Sequence, residues 1–217
     1  MLSGCERISN GLSRNQAFKA LLASAEAGNR RVQRLLTRRN KLAQEFSEKD
    51  ISASFRLNGP PPTTAEYAAG VANQFSHWRL EVTGLVRQPA SFSLADLKAL
   101  PSRTQITRHD CVEGWSAIAK WKGVRLEEII NKVQPTAQAK YVVFRCMDSD
   151  SDGANYYERI DLIDAVHPQT ILAYDMNDRP RPSVDAAPQR LRAANQWGYM
   201  HPTYTADTGS ATTFEKR

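Results

Sequence analysis

The chain has 217 residues, of which 41% are hydrophobic, and carries a formal net charge of +6 with a pI near 9.3. This length and composition fit one domain with a sizeable core plus an extension. Three cysteines are too few for a disulfide framework, no Cys/His cluster predicts a zinc site, and no apolar run is long enough to span a membrane. Much of the positive charge lies in the first 50 residues without a nucleic-acid-binding motif, so no nucleic-acid partner is predicted.

The N-terminus carries a pattern of its own. Met1-Leu2-Ser3-Gly4-Cys5 has the small-residue-then-cysteine order of a bacterial lipoprotein cleavage site, without the charged and apolar regions that precede such a site. We expect that an export signal was removed or lost, which would make Cys5 the first residue of the mature chain. The alternative is that these are incidental residues at a start codon.

Residues 15–46 are predicted to be helical, because apolar residues recur there at roughly helical spacing. Gly28-Asn29 favours a division into two helices. Like charges along a helix usually form a solvated face, which is our interpretation; docking to a partner or to anionic lipid is the alternative. The apolar set is Phe18, Leu21, Leu22, Ala25, Val32, Leu35, Leu36, Leu42 and Phe46, and the basic set is Arg30, Arg31, Arg34, Arg38, Arg39 and Lys41.

A loop and the first elements of a folded domain follow. Pro60-Pro61-Pro62 cannot continue a helix or a central strand, so residues 52–64 are predicted to be a loop. Residues 78–82 alternate like a strand. Ser93 with Asp96 has the form of a capping box, which predicts a short helix through residue 100.

Short elements continue through the rest of the chain. Strands are predicted at 104–107, 141–146 and 171–174, a helix at 124–133, and a helical turn at 162–166. Many short strands with interspersed short helices indicate an α+β fold that is mixed and mainly β. After Tyr204 the residues are polar and predict no further strand. We therefore divide the chain into a helical extension (1–50), a domain (51–204) and a divergent polar tail (205–217).

Cys111 is the most informative residue. It lies in the run RHDCVEGWS, residues 108–116, where Arg108 and His109 precede the thiol. Nearby positive charge favours the thiolate, which is the reactive and metal-binding form, and soft thiolate selects soft or high-valent metal centres. An inert buried cysteine is the alternative, and the chemistry alone favours the two about equally. Glu113 and Trp115 are expected to hold the loop, the first as a buried carboxylate that accepts backbone N–H groups.

This run, followed by WKGVRL at 121–126, resembles the core motif of the sulfite-oxidase-like molybdopterin oxidoreductases. The similarity is closest to the bacterial branch that contains periplasmic methionine sulfoxide reductases. Upstream residues 78–101 and downstream residues 140–150 and 167–180 continue it in register. The resemblance covers about residues 51–204 and implies the molybdopterin-binding fold of this family.

The resemblance implies a function and a set of site residues. Cys111 would ligate molybdenum held by molybdopterin, for two-electron oxygen-atom transfer on a small substrate such as a sulfoxide or sulfite. It also implies a haem-bearing electron-transfer partner and a periplasmic location, or a cytoplasmic one if the chain is complete as given. The cofactor-binding residues that it implies are Asn58, His109, Cys111, Cys146, Asp185 and Arg190, with Arg190 at the phosphate. Tyr156 and Tyr157 would border the substrate mouth.

The last stretch departs from the family pattern. Asp185-Ala186 stands where His or Asn and Gly are usual, and Met200 and Thr203 replace two lysines. A carboxylate beside a phosphate and the loss of cations predict weaker cofactor binding, at about 1.5–3 kcal/mol for each charged contact. Two alternatives to the oxidoreductase therefore stay open. One is a non-catalytic fold relative that acts as a binding partner, and the other is a thiol enzyme with Cys111 as nucleophile.

Overall fold

In the computed structural model, backbone contacts divide the chain into two units, Met1–Lys41 and Leu42–Arg217. The structure describes residues 15–36, 41–56, 62–111, 113–149, 155–180, 187–196, 201–202, 204 and 212–215. Among these residues, no helix has both the length and the apolar composition that crossing a bilayer requires.

The first unit contains helix α1 (Gln16–Leu36). The Asn15 side chain accepts hydrogen bonds from the backbone N–H groups of Ala17 and Phe18, at 2.9 and 3.3 Å, and so caps the first turn. The predicted division at Gly28-Asn29 is wrong, because the helix runs through it; a glycine inside a helix costs only about 1 kcal/mol.

The predicted helix also ends too late, since residues 41–46 are not helical. The backbone N–H of Phe46 donates to the carbonyl of Ile106 at 2.9 Å, and Glu45 forms an antiparallel bridge with Thr107. The side chain of buried Gln169 accepts from Ala43 N–H at 2.7 Å and donates to Ala43 O at 3.1 Å. These bonds to distant residues take the backbone groups that a helix would have used.

The second unit is built on two sheets. The strands among its described residues are, in chain order, β1 (Arg79–Gly84), β2 (Ala90–Ser93), β3 (Ser102–Asp110), β4 (Ser116–Arg125), β5 (Tyr141–Ser149), β6 (Asn155–Asp161), β7 (Thr170–Met176), β8 (Arg179–Pro180), β9 (Arg190–Ala193) and β10 (Thr212–Glu215). The first sheet has the order β2-β1-β10-β5-β6, and the second has the order β3-β4-β7-β8 with β9 paired to β7. β1 and β10 pair in parallel, and the other pairs described are antiparallel.

Short helices connect these strands. They are α2 (Ala65–Ala72), α3 (Leu94–Ala99), α4 (Leu126–Val133) and α5 (Leu162–Ala165), with a 3-10 turn at Glu48–Asp50. The capping box predicted for α3 is present: Ser93 Oγ accepts from Asp96 N–H at 3.0 Å, and Asp96 Oδ2 accepts from Ser93 N–H at 2.8 Å. The helix predicted to start at residue 124 begins at Leu126, because residues 124 and 125 end β4.

The main core joins the two sheets. Leu80 and Phe144 enter it from the first sheet, and Val124 and Leu172 enter it from the second. A smaller cluster on the second sheet consists of Ala119, Trp121, Ile171 and Ala173, with Phe55 and Met176 packed against it. This smaller cluster lies beside the strands that lead into and out of the Cys111 loop.

β4 and β7 approach each other so closely that position 123 must be glycine. A Cβ atom at Gly123 would lie 2.1 Å from the carbonyl oxygen of Leu172, and the register of the pair shifts between Lys122 and Gly123. Such an irregularity bends a strand locally and is common next to functional sites. It lies on the strand that leaves the Cys111 loop.

The expectation of no strand after Tyr204 is wrong. β10 occupies the centre of the first sheet, with Thr212 opposite Val82 of β1 and Thr213 opposite Val143 of β5. Its polar threonines concealed it, although β-branched Thr suits an extended backbone. The strand closes a sheet that would otherwise have two separate halves.

Candidate functional site

Cys111 lies in the tight turn that joins β3 to β4. Its backbone N–H donates to the carbonyl of Trp115 at 2.9 Å, and its carbonyl accepts from Gly114 N–H at 3.1 Å. Gly114 has φ +85°, a conformation that other residues rarely adopt, so the turn requires its glycine. Cys111 is buried with 8% of its surface exposed, and among the described residues it is in no disulfide. Cys111 is therefore a buried residue in a turn that backbone hydrogen bonds fix.

Side chains on both strands tie the ends of this turn together. The Asp110 carboxylate accepts from Ser116 Oγ at 2.6 Å and pairs with Arg108 Nε at 2.9 Å. Glu113 accepts from Trp115 Nε1 at 3.1 Å. The expectation that Glu113 is buried and accepts backbone N–H groups is wrong, because its side chain is exposed. The indole of Trp115, rather than the backbone, is the partner that orients it.

His109 lies fully buried beneath the turn, in an aromatic cluster. Its ring centroid is 5.4 Å from that of Phe55, 5.4 Å from that of Trp115 and 5.5 Å from that of His201. His109 Nδ1 is 3.4 Å from His201 Nδ1. The structure thus connects the residue two before Cys111 to a residue 92 positions later in the chain.

Arg192 holds this assembly together from β9. Its guanidinium is fully buried, and Nη2 donates to Thr107 Oγ1 at 3.2 Å and to the carbonyl of Arg108. Its Cζ lies 5.2 Å from the centroid of the Trp121 ring, which allows a cation–π interaction. Arg192 therefore joins β3, β4 and β9 at the end of β3 that leads into the Cys111 turn.

The contacts of His201 assign its tautomer. Nε2 lies 2.7 Å from the carbonyl oxygen of Ala193, so this nitrogen carries the hydrogen and donates. Nδ1 is then the acceptor for Arg192 Nη1 at 3.0 Å. Burial, followed by the charges of Arg192, Arg190 and His109, holds the pKa of His201 well below its ordinary value. The imidazole is therefore neutral at physiological pH.

Positive charge is concentrated in this region. Arg190 and Arg192 are two residues apart on β9 and so share a face, and both are buried. Burial and then Arg190 lower the pKa of Arg192 to about 9, whereas Asp110 raises it. Gln189, the residue before Arg190 in the chain, is fully buried and has a side-chain amide with no hydrogen-bond partner among the described residues. Buried cations favour an anionic ligand, and an unsatisfied buried amide favours a ligand that can form hydrogen bonds.

Cys146 is fully buried on β5, in the other sheet. The segment that carries His201 connects the two: Leu191 N–H donates to Pro202 O at 3.0 Å, and Met147 N–H donates to Tyr204 O at 2.8 Å. Pro202 and Tyr204 therefore lie between β9 and the end of β5 that follows Cys146.

Three titratable groups, Asp148, Tyr156 and Glu158, lie near Cys146. Burial raises the pKa of Asp148 to about 6. Burial and the nearby groups Glu158, Cys146 and Asp148 raise the pKa of Tyr156 to about 12. Tyr156 is 37% exposed and Tyr157 is 61% exposed, so both reach solvent at this end of the hairpin of β5 and β6.

Of the six cofactor-binding residues predicted from the sequence, four are described. His109, Cys111 and Arg190 lie on the second sheet or in its loop, and Cys146 lies on the first. Asn58 and Asp185 lie outside the described residues, as do Met200 and Thr203. Sequence reasoning missed Arg192 and His201, although Arg192 alternates with Arg190 on one face of a strand.

Comparison with known proteins finds a matching family and relatives that are named as reductases. Residues 68–204 match the family model described as "Oxidoreductase molybdopterin binding domain". YedZ1 of Azospira oryzae, provisionally named a protein-methionine-sulfoxide reductase subunit, is 34% identical over 206 residues, which are 94% of this chain and 72% of that protein. The protein-methionine-sulfoxide reductase catalytic subunit MsrP of Xanthomonas campestris is 33% identical over 136 residues, 58% of this chain and 42% of MsrP.

Two further comparisons are more distant. MsrP of Campylobacter jejuni is 27% identical over 176 residues. This chain spans less than two thirds of the length of either MsrP relative. The crystal structure of the sulfane dehydrogenase SoxCD from Paracoccus pantotrophus superposes with a TM-score of 0.57 at 16% identity, over 65% of this chain and 39% of that one. This likeness confirms the predicted fold class.

Proposed function

Because the chain belongs to the oxidoreductase molybdopterin-binding domain family, we propose that it reduces a sulfoxide by oxygen-atom transfer, with Cys111 as the protein ligand of molybdenum. Family membership makes the chain a molybdenum-dependent oxidoreductase with molybdopterin as its cofactor, as the sequence predicted. The observation that supports Cys111 most is its place in a turn that is fixed by backbone hydrogen bonds.

The residues present fit this cofactor. A thiolate donates negative charge to a high-valent metal and so tunes its potential, and the turn holds this thiolate in one position. The pterin carries a phosphate, and buried Arg190 and Arg192 supply positive charge on β9, where Arg192 contacts the end of β3 that leads into the Cys111 turn. The unsatisfied amide of Gln189 offers both a donor and an acceptor to a polar ring. When bound, the molybdenum centre supplies two-electron transfer of an oxygen atom.

The protein's own groups position the ligand and set the charge around it. Arg192 fixes the carbonyl of Arg108 and the hydroxyl of Thr107, which sets the end of β3 from which Cys111 projects. Neutral His201 accepts from Arg192 and donates to Ala193, so it adds no charge beside two guanidinium groups.

Methionine sulfoxide is the substrate that the relatives favour, because YedZ1 and the MsrP proteins are named for it. We extend this proposal to the periplasm as the location and to a haem-bearing partner as the electron donor. The alternative of a non-catalytic relative gains no support from the comparisons. The thiol-enzyme alternative has no observation in its favour.

A direct test uses protein purified from a host that makes molybdopterin. We expect about one molybdenum per chain and reduction of methionine sulfoxide by a chemical electron donor, with slower turnover or none when sulfite is offered to an electron acceptor. Cys111→Ser should lower the rate of sulfoxide reduction by at least about a hundredfold. Cys146→Ser, the same change at a buried cysteine predicted to contact the cofactor but not the metal, should keep the protein sulfur on the molybdenum that is bound. Full activity of Cys111→Ser would contradict the proposal.

A further inference from the structure

Helix α1 exposes large apolar side chains in the unit Met1–Lys41. Leu21 is 63% exposed, Leu22 is 54% exposed and Val32 is 53% exposed. Arg31 on the same helix is also exposed. Each exposed apolar side chain costs free energy in water. Several of them on one helix therefore indicate a surface that another molecule covers.

The apolar positions of α1 fall on one side of the helix. Successive residues are about 100° apart, so positions 18, 21, 22, 25, 32 and 36 form one stripe along its length. Positions 19, 30 and 34, which are Lys or Arg, fall on the opposite side. This arrangement is typical of helices that lie in the plane of a membrane surface, with the apolar side below and the cations at the headgroups.

The net positive charge of the chain comes from the same region. Residues 1–41 contain nine Lys and Arg and two Glu, whereas residues 42–217 contain 20 basic and 21 acidic residues. Arg30 and Arg34 are one helical turn apart and Arg31 and Arg34 are three apart, so like charges are neighbours along the helix. Glu26 is the only acid in α1, so the helix needs negative charge from elsewhere.

From these observations we infer that α1 binds, lying flat, to a bilayer surface that contains anionic phospholipid. The apolar stripe enters the boundary between headgroups and acyl chains, and Lys19, Arg30, Arg31 and Arg34 interact with the phosphates. A neutral membrane offers the apolar contact without the charge, and an acidic protein offers charge without an apolar layer of matching length. Both features of α1 are satisfied together by anionic lipid.

The test is flotation of the purified full chain with vesicles of phosphatidylcholine alone or phosphatidylcholine mixed with phosphatidylglycerol. We expect binding to the mixed vesicles that salt weakens, and little binding to the neutral ones. The triple variant Arg30→Gln, Arg31→Gln, Arg34→Gln should bind about a hundredfold more weakly, at about fivefold for each cation removed. The variant Leu21→Asn, Leu22→Asn, Val32→Asn should lose binding without any change in charge.

A matched control separates α1 from net charge. Arg87→Gln, Lys122→Gln, Lys132→Gln removes the same charge from exposed sites in Leu42–Arg217 and should bind as the unchanged chain does. The helix content of each variant, measured by circular dichroism, serves as the folding control. Equal weakening by the control triple, or no binding to anionic vesicles by the unchanged chain, would overturn the inference; the second result would leave a protein partner or solvent to cover the stripe.

Discussion

The two units of the chain use the same residue types in opposite ways. In Leu42–Arg217, Arg192 is buried and makes hydrogen bonds to two strands, and Gly123 lies against a neighbouring backbone. In Met1–Lys41, Arg31 is exposed and Gly28 has no atom near its missing side chain. Replacing Arg192 or Gly123 should therefore lower the free energy of unfolding. Replacing Arg31 or Gly28 should change only the helix content of α1 or its binding to a membrane surface.

The largest expected difference is between two glycine-to-alanine changes. Gly123→Ala places a Cβ atom 2.1 Å from Leu172 O, and backbone on both sides prevents relief. We expect the free energy of unfolding to fall by about 3–5 kcal/mol. Gly28→Ala should instead increase helix content, worth about 1 kcal/mol within α1, because nothing lies within 4 Å of the new methyl group. Urea unfolding and circular dichroism measure both, and similar unfolding midpoints for the two variants would contradict the account.

A smaller difference is expected between two arginine substitutions. Arg192→Met leaves the Arg108 carbonyl, Thr107 Oγ1 and His201 Nδ1 without their donor. The loss of these bonds outweighs the relief of a buried charge, so the free energy of unfolding should fall by about 2 kcal/mol. Arg31→Gln should leave it unchanged within about 0.5 kcal/mol, because the side chain is exposed.

The same variant has a second readout that a general loss of packing would not give. The Arg192 charge is one cause of the low pKa of His201, after burial. In Arg192→Met the pKa of the His201 imidazole should rise, which NMR titration measures. An unchanged titration in a folded variant would mean that Arg192 does not face His201 as described.

The smallest effect concerns the pH dependence of stability. Burial raises the pKa of Asp148 in the folded state from 3.8 to about 6, so the folded state binds this proton more tightly than the unfolded state does. The stabilisation is complete below pH 4 and is lost as the pH rises through 6. In Asp148→Asn the free energy of unfolding should no longer fall as the pH rises from 4 to 8. The difference from the unchanged protein should be on the order of 1 kcal/mol, because the carboxyl group is partly solvated. If the free energy of unfolding changed with pH in the same way in the unchanged protein and in Asp148→Asn, this prediction would be wrong.

Local signals in the sequence predicted local structure. The capping box of Ser93 and Asp96, the helix that ends at Val133 and the turn around Cys111 each depend on residues within a few positions of one another. The family resemblance rested on the same contiguous motif, and the match of residues 68–204 confirmed it.

Long-range pairing could not be predicted in this way. β10 is held by β1 and β5, whose paired residues are far away in the sequence, and two of the buried positions of β4 are the small residues Ala117 and Ala119, which give a weak apolar signal. Arg192 meets Thr107 across 85 residues, and His201 meets His109 across 92. Only the folded chain brings Arg192 and His201 to Thr107 and His109, which is why the sequence indicated Arg190 and missed these two residues.

The central claim is that the Cys111 sulfur bonds molybdenum, and X-ray absorption at the molybdenum edge tests it most directly. Cofactor-loaded Cys111→Ser should show one sulfur ligand fewer than the unchanged protein, while Cys146→Ser shows the same number. An identical sulfur shell in the unchanged protein and in Cys111→Ser, with molybdopterin present in both, would contradict it.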